Sequence, residues 1–595
     1  MLQKVNVAIV DTSVLCSHKE LSKCNIKIMQ IDDSISFNEK GHGTAVAAIL
    51  HNVCPDANID VYPIFENTTS TIDPQVLIDT LNIIANNGKY HLINLSMGIV
   101  SSSFDSQLRE VCNRLTEQGS IIVSAFDNAG RISYPACYSN VIGVDISENN
   151  LKSNEYEYVE NSIVNIRCSS KIKRLAWDNP SVIFAAGTSF VVPFISGLIS
   201  CGLLSGLTIH DINELLKKNA CKVYKFNEQN VIPVQNNLLE SAIVLPFNKE
   251  IHTLIRYNDQ LSFKINAVYD IKYRMNVGRK TSAIIKQELD NDYVIKSIEE
   301  IDWDSDSFNM VIIGHLQEII NVVGYHFLDE IMKNIAKFKK IVYTFDIMIK
   351  ERYAHLSNTT IITPPQIDNS YVPVNNLGHM WQSTTPIFGV FGTRSRQGKV
   401  TVQILIKQKL EKLGYKVGYL STEPNGALLG ADNVFNFGYY GSVTTEVVKY
   451  PVILNEMMHQ IELKNPDIIM VGSQSGTIPY AFTHMKYNFL SQAAFLQGTL
   501  PDCVFLCINP DDEIDYINRT IAYIESYVDT KVIGLFLFPI LETVSVLSGT
   551  QRIYLDESQL AIDIARIASE TGRHVEPMSY TGIEKHINRL LSFFE

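Results

Sequence analysis

The stretch Ala186-Gly187-Thr188-Ser189-Phe190-Val191-Val192-Pro193-Phe194-Ile195-Ser196-Gly197 sets a serine between a glycine turn and an apolar run. Proline is tolerated in a helix only near its first turn, so Pro193 predicts a helix that starts close behind Ser189. The positive end of such a helix favours negative charge beside the hydroxyl, as a nucleophile requires. The run over 190–207 is interrupted by Pro193, Ser196, Gly197, Ser200 and Gly202. It therefore lacks the roughly 18 consecutive apolar residues of a membrane span and reads as a buried helix.

A nucleophilic serine needs a base, a group that orients the base, and donors for the oxyanion. Working outward from Ser189, three stretches offer these groups. His42 lies in Gly41-His42-Gly43-Thr44-Ala45-Val46-Ala47-Ala48-Ile49, small residues that allow close approach before an Ala-rich helix. Asp11 ends the strand-like Val7-Ala8-Ile9-Val10-Asp11, at the carboxyl end where sites of α/β sheets open. Asn128, in Ser124-Ala125-Phe126-Asp127-Asn128-Ala129-Gly130, carries an amide suited to an oxyanion. Each residue alone reads more often as a turn, cap or surface group. Apolar β-rich runs at 5–10, 59–62, 92–95, 121–123 and 141–144 alternate with helical ones, which predicts an α/β fold with a parallel sheet covered by helices.

In the order Asp, His, Asn, Ser, these motifs resemble the subtilisin-like serine peptidases over residues 6 to about 243. The resemblance implies a catalytic set of Asp11, His42, Ser189 and Asn128, with no cofactor needed for proteolysis. It further implies that Ser96, Met97 and Gly98, in Asn94-Leu95-Ser96-Met97-Gly98, form a strand that pairs with extended peptide. Asp127 stands where the family commonly has glycine, on a wall of the primary specificity pocket. It is expected to bind substrate and to favour Lys or Arg before the scissile bond; the alternative is that Asp127 serves only its own turn. The motifs begin close to Met1, so the pro-domain of secreted relatives is expected to be missing.

Three domains are expected: a subtilisin-like protease domain over 1–243, a small open α/β (Rossmann-like) domain over 244–380, and a P-loop α/β domain over 381–595. The second repeats the strand habit at 310–314 and 341–344. The Pro- and Asn-rich stretch 363–385 reads as a linker to the third. There, Ile387-Phe388-Gly389-Val390-Phe391 runs into Gly392-Thr393-Arg394-Ser395-Arg396-Gln397-Gly398-Lys399-Val400-Thr401, a glycine-flanked loop between strand and helix. That context suits a phosphate cradle, with Gly392 and Gly398 shaping the loop, Lys399 neutralising phosphate and Thr401 approaching a metal. The spacing is one residue longer than the common form, with Val400 ahead of the threonine. A plain glycine turn is the alternative.

The same region, with Asp467-Ile468-Ile469-Met470-Val471-Gly472 and Pro501-Asp502-Cys503-Val504-Phe505-Leu506-Cys507, resembles P-loop proteins of the dethiobiotin-synthetase type, some similar to acyl-CoA-using N-acyltransferases. The resemblance implies ATP, another nucleotide or CoA at the loop, although Gly472 replaces an acidic residue frequent in relatives. Residues 244–595, chiefly through Leu245-Pro246-Phe247-Asn248-Lys249-Glu250, also resemble maturation-system proteins of ribosomally made, modified peptides. The expected function is therefore a serine endopeptidase that removes the leader of a modified precursor peptide. A nucleotide- or CoA-dependent transferase, with the N-terminal domain as a peptide-binding module, is the alternative, and a silent scaffold a third.

With 595 residues and 46% apolar content, the chain exceeds a single core. Its net charge of -13 is dispersed, without the basic, aromatic-interleaved blocks that track nucleic acid. No secretory signal pattern follows Met1 and no membrane span is seen, so a cytoplasmic protein with neither nucleic-acid nor membrane partners is expected. The ten cysteines, eight of them between 16 and 221, form no disulfide framework and no zinc knuckle, and Cys503 and Cys507 read as core. No metal site is expected; calcium and the oligomeric state stay open.

Overall fold

A computed structural model describes residues 4–29, 39–65, 73–88, 90–100, 102–147, 149–160, 162–225, 240–356, 359–368, 379–438, 441–480, 490–545 and 549–595. The chain divides into two compact units, Met1–Gln229 with Val372–Thr384, and Asn230–Tyr371 with Thr385–Glu595.

In the first unit the strands are β1 (Val5–Asp11), β2 (Asn25–Ile28), β3 (Ala57–Pro63), β4 (Leu92–Leu95), β5 (Ile121–Ala125), β6 (Val141–Ile146), β7 (Tyr156–Glu160) and β8 (Ile166–Cys168). A hairpin of β9 (Lys173–Ala176) and β10 (Val182–Ala185) comes next, then β11 (Lys222–Lys225). The nine-stranded sheet runs β11-β7-β8-β6-β5-β4-β1-β3-β2 and is parallel except where β7 meets β8. Helices α1 (Gly41–Val53), α2 (Pro74–Asn87), α3 (Asp105–Glu117) and α4 (Val192–Leu204) cover it. Alternation along β1 sorts the two faces: Val5, Val7 and Ile9 pack with Val46 of α1 and Ile195 of α4, while Ala8 and Val10 pack with Leu81 of α2 and Leu115 of α3. Helix α2 shows the local grammar: Asp73 caps its first turn, Pro74 opens it, and Gly88 closes it in the left-handed region at φ 58°.

The second unit holds two sheets. One, β14-β13-β12-β15-β16-β17, is built from β12 (Ser241–Leu245), β13 (Lys264–Asp270), β14 (Lys296–Ser297), β15 (Met310–Ile313), β16 (Ile341–Thr344) and β17 (Ile361–Ile362). The other, β20-β19-β21-β18-β22-β23-β26, contains β18 (Ile387–Gly392), β19 (Val417–Ser421), β20 (Asn433–Val434), β21 (Ile468–Gly472), β22 (Cys503–Ile508), β23 (Lys531–Leu537) and β26 (Val575–Pro577), with β24 (Ile540–Ser545) and β25 (Gly549–Tyr554) as a separate hairpin. Both seven- and six-stranded sheets are parallel throughout. The expected boundary at 243/244 falls inside β12, an interior strand, so this sheet starts at Ser241. The two sheets share a core in which Ile404, Leu428 and Leu429 pack with Phe247 and Leu254. Residues 379–384, read from composition as linker, belong to the first unit, because their His and Trp side chains find partners there.

The cysteines are free, and Cys503 and Cys507 are buried in β22. No helix among the described residues is long and apolar enough to cross a membrane.

Candidate active site

Asp11 ends β1, and His42 is the second residue of α1. Two glycines let that helix approach: a Cβ on Gly43 would overlap the Thr12 carbonyl, and one on Gly41 would overlap the Trp177 indole. Thr12 Oγ1 accepts the Gly43 N–H at 2.8 Å, locking the start of α1 to the end of β1. Asp11 is fully buried. Its Oδ1 accepts from His42 Nδ1 at 2.7 Å and from the Thr12 N–H at 2.7 Å, and its Oδ2 is buried without a hydrogen-bond partner. Burial pushes the His42 imidazole toward its neutral form. The Asp11 charge and hydrogen bond, with Glu39 adding to them, outweigh burial and hold its pKa above the ordinary histidine value.

Ser189 sits in the 3-10 turn Thr188–Phe190 ahead of α4, whose first turn contains Pro193, as the sequence predicts. Ser196 Oγ of α4 donates to Asn94 Oδ1 at 2.8 Å, and Asn94 Nδ2 donates to Ser96 Oγ at 3.0 Å. This chain of bonds ties the serine's helix to β4 and the 96–98 segment. The His42 ring lies between Phe190, centroids 5.0 Å apart, and Trp177, edge-on at 6.4 Å. Among the described residues Ser189 Oγ makes no hydrogen bond to His42; such bonds commonly tighten only with substrate bound. Asp11, His42, Ser96, Met97, Gly98, Asp127, Asn128 and Ser189 all line one open cleft of about 540 Å³.

Asn128 Oδ1 accepts from the Thr188 N–H at 3.0 Å and the Thr188 hydroxyl at 3.2 Å. With the carbonyl side of the amide so engaged, Nδ2 is the group left to meet an oxyanion beside Ser189. The segment 96–98 is clasped from behind: Ser124 Oγ donates to the Met97 carbonyl at 3.1 Å, and Ile99 and Tyr134 exchange both backbone hydrogen bonds. Gly98 is required here, since a Cβ would come within 2.7 Å of the Ala125 carbonyl.

Asp127 is turned to its own loop. Its Oδ2 accepts from the Ala129 N–H at 2.9 Å and from Arg131 Nε at 3.1 Å, and its Oδ1 from Arg131 Nη2 at 3.3 Å. Burial pushes its pKa up, but the Arg131 guanidinium and the loop N–H groups prevail and hold it below the usual carboxylate range. Asp127 thus lines the cleft with its carboxylate paired to Arg131, four residues on. The Asp-x-x-x-Arg spacing was visible in the sequence and was missed.

In the second unit the loop after β18 leads into α5 (Lys399–Lys412). Gly398 adopts φ 72°, and a Cβ on Gly392 would crowd Gln397 Oε1 at 2.7 Å. Lys399 is buried, donating to the Arg394 carbonyl at 2.7 Å and the Ser475 carbonyl at 2.8 Å, and burial lowers its pKa to about 8. Gln397 Oε1 accepts the Arg394 N–H at 2.8 Å, so the loop satisfies several of its own groups. The Thr401 hydroxyl lies near the Tyr257 phenol. At about 100° per residue, Thr401 lies roughly 200° around the helix from Lys399, because Val400 stands between them. At Gly472 a Cβ would meet the Gln403 side-chain amide. The acidic group near Lys399 comes instead from Glu423, beyond the end of β19, which the sequence reading overlooked. Burial raises its pKa, opposed by Lys249 and Lys399. No group of three or more His, Cys, Asp or Glu among the described residues is placed to hold a metal ion.

Comparison with known proteins gives two separate matches. Family models match residues 3–237 as the subtilase family and residues 378–537 as the P-loop domain DUF1611_C, a domain of unknown function. Thermitase of Thermoactinomyces vulgaris is 27% identical over 238 residues, 36% of this chain and 81% of thermitase. Subtilisin Savinase of Lederbergia lenta is 31% identical over 157 residues, 24% of this chain and 56% of its own. The thermostable alkaline protease of Halalkalibacterium halodurans is 28% identical over 207 residues, 32% and 55% of the two chains, so the match spans about half the length of the latter two relatives. Among solved structures, the prenylagaramide maturation protease PagA overlays with a TM-score of 0.28 at 21% identity, covering 34% of this chain and 78% of its own. A DUF1611-family protein from Anabaena variabilis overlays with a TM-score of 0.41 at 13% identity, covering 59% and 99%. The N-terminal part of this chain is a serine endopeptidase domain of the subtilase family, joined to a DUF1611 P-loop domain.

Proposed function

We propose that the protein is a processing endopeptidase working through Asp11, His42, Ser189 and Asn128. The observation that carries this reading is the 2.7 Å bond between His42 Nδ1 and buried Asp11 Oδ1, in the cleft that Ser189 and Asn128 also line. A peptide laid along 96–98 presents its carbonyl to Ser189. His42 Nε2 takes the hydroxyl proton as Oγ bonds to the carbonyl carbon, and the negative charge passes to the carbonyl oxygen facing Asn128 Nδ2 and the Ser189 N–H. The C–N bond then breaks, the imidazolium gives its proton to the leaving amine, and water releases the acyl group by the reverse proton path.

The substrate we propose is the leader of a ribosomally made, modified precursor peptide, met in the cytoplasm. The likeness of 244–595 to maturation-system proteins, noted from sequence, supports this. Mass spectrometry of such a precursor incubated with the wild type and with Ser189→Ala is the test. A cut made by the wild type alone is expected; equal cutting by both, or none by either, would sink the reading.

Because Arg131 occupies the Asp127 carboxylate, neutral residues are expected before the scissile bond. Arg131→Ala should release that charge and raise kcat/KM for a Lys or Arg substrate about 10-fold relative to a neutral one. Unchanged preference in paired peptide assays would show that Asp127 does not face the bound side chain.

A nucleotide or CoA is proposed to bind the loop at Gly392, Gly398 and Lys399, supported by the buried lysine at the start of α5. Calorimetry with ATP is expected to show binding to the wild type and its loss in Lys399→Ala; no binding to the wild type would refute it. With Thr401 roughly 200° around α5 from Lys399, binding is proposed without turnover.

A further inference from the structure

The subtilase match ends at residue 237 and the P-loop match begins at 378, yet the first described residues of the latter pack within the protease unit. Met380 bridges Arg131 in parallel fashion, and the Ile132 N–H donates to the Met380 carbonyl at 3.1 Å. Trp381 lies against Tyr134, ring centroids 6.3 Å apart. His379 is buried, 5% exposed; its ring meets Phe126 edge-on at 5.1 Å and its Nε2 lies 3.0 Å from Asp145 Oδ2 at the end of β6.

Apart from the Asp145 approach, these contacts fall on one loop, residues 126–134. Its front face carries Asn128, and its far limb holds the 96–98 segment through Tyr134 and Ile99. The Asp127 N–H donates to Ser133 Oγ at 2.8 Å, so the two limbs are braced together. Strand β5, ending at Ala125, leads directly into the loop, and the Phe126 N–H donates to the Val144 carbonyl of β6 at 3.0 Å. Its outer surface, by contrast, is lined by residues that lie far along the chain from the catalytic motifs. An amide serves an oxyanion only when held to within a fraction of an ångström of where the charge appears.

We propose that His379 and Trp381 are positioning residues for the Asn128 loop, so that the oxyanion site of this protease is completed by chain lying beyond the family's own domain. The inference rests on the reading of Asn128 as oxyanion donor. It also supplies a physical route by which the chain joining the two units bears on proteolysis: whatever draws residues 379–381 off the loop lowers the rate without touching the triad.

The test is a double-mutant cycle in the full chain, assayed with a chromogenic peptide p-nitroanilide bearing a neutral residue before the scissile bond. Asn128→Ala is expected to lower kcat about 10²–10³-fold. Trp381→Ala should lower kcat about 10-fold, with His379→Gln acting alike and Trp381→Phe retaining most activity. In the double variant Trp381→Ala/Asn128→Ala, kcat should match Asn128→Ala alone, because the strap acts through that amide. A merely structural role would instead multiply the two losses, and that result overturns the proposal while leaving Asn128 in place. Full activity of both Trp381→Ala and His379→Gln would overturn it as well. An unaffected Asn128→Ala would remove the oxyanion reading itself, and the proposal with it. Where Trp381→Ala does not fold, as judged by its melting transition, His379→Gln takes its place in the cycle.

Discussion

Ser189→Ala is expected to lower kcat by about 10⁶-fold, the magnitude known for loss of the nucleophile in subtilisin, a relative of this domain. That corresponds to about 8 kcal/mol of transition-state stabilisation. The loss is so large because Asp11 and His42 act only through the serine. A base with no hydroxyl to deprotonate contributes nothing, so removing one member disables the set. The residual rate, about 10³–10⁴-fold over water, belongs to Asn128 and to substrate held along 96–98. Ser189 Oγ makes no hydrogen bond among the described residues, so melting temperature should hardly move. Peptide cleavage monitored by mass spectrometry, with fluorophosphonate labelling of the wild type, checks the catalytic loss, and a thermal melt checks the fold. Labelling that persists in Ser189→Ala would place the nucleophile elsewhere.

Asp11→Asn is expected to cost about 10⁴-fold in kcat with the fold intact. Oδ1 of Asp11 accepts from both His42 and the Thr12 N–H, while Oδ2 is buried without a partner. An asparagine that keeps its oxygen toward His42 buries an NH₂ where nothing accepts from it. The flipped amide aims N–H at both donors and stabilises the wrong imidazole tautomer. In either orientation the charge that supports the imidazolium is gone. The pH profile should report the same change. His42 works as a base when neutral, so wild-type kcat/KM rises with pH through an inflection above the ordinary histidine value, where Asp11 outweighs burial. In Asp11→Asn burial acts with little opposition, and the inflection should move to lower pH. An inflection that stays put would show that Asp11 does not set the His42 pKa. The sign for stability is the converse: the raised His42 pKa stabilises the fold fully below the unfolded-state value, and this is lost as pH rises through the folded-state value.

Much of the proposed site is legible in the sequence, for a physical reason. Asp11 at a strand end, His42 between two glycines and Ser189 ahead of Pro193 are each fixed by backbone demands within a few residues, and such demands leave marks in local sequence. The same holds for β1, β4 and the buried helix α4, whose periodicity and length are read from side-chain burial alone. Less was legible in the second unit. The Gly392 to Lys399 loop could be found, but not that Thr401 lies near Tyr257 or that Glu423 supplies the nearby carboxylate. Those outcomes depend on which faces of α5 and β19 meet the neighbouring sheet.

By itself, then, the sequence determined the α/β class, the order of the catalytic motifs and the presence of two chemically distinct modules, because these arise from short-range constraints. Only the tertiary structure decided that Arg131 pairs with Asp127, that Thr188 orients the Asn128 amide, that the two C-terminal sheets share one core, and that His379 and Trp381 pack against the 126–134 loop. Each of these is a pairing in which a residue's chemistry is completed by a partner chosen through packing, and composition or spacing around either residue alone carries little trace of that choice.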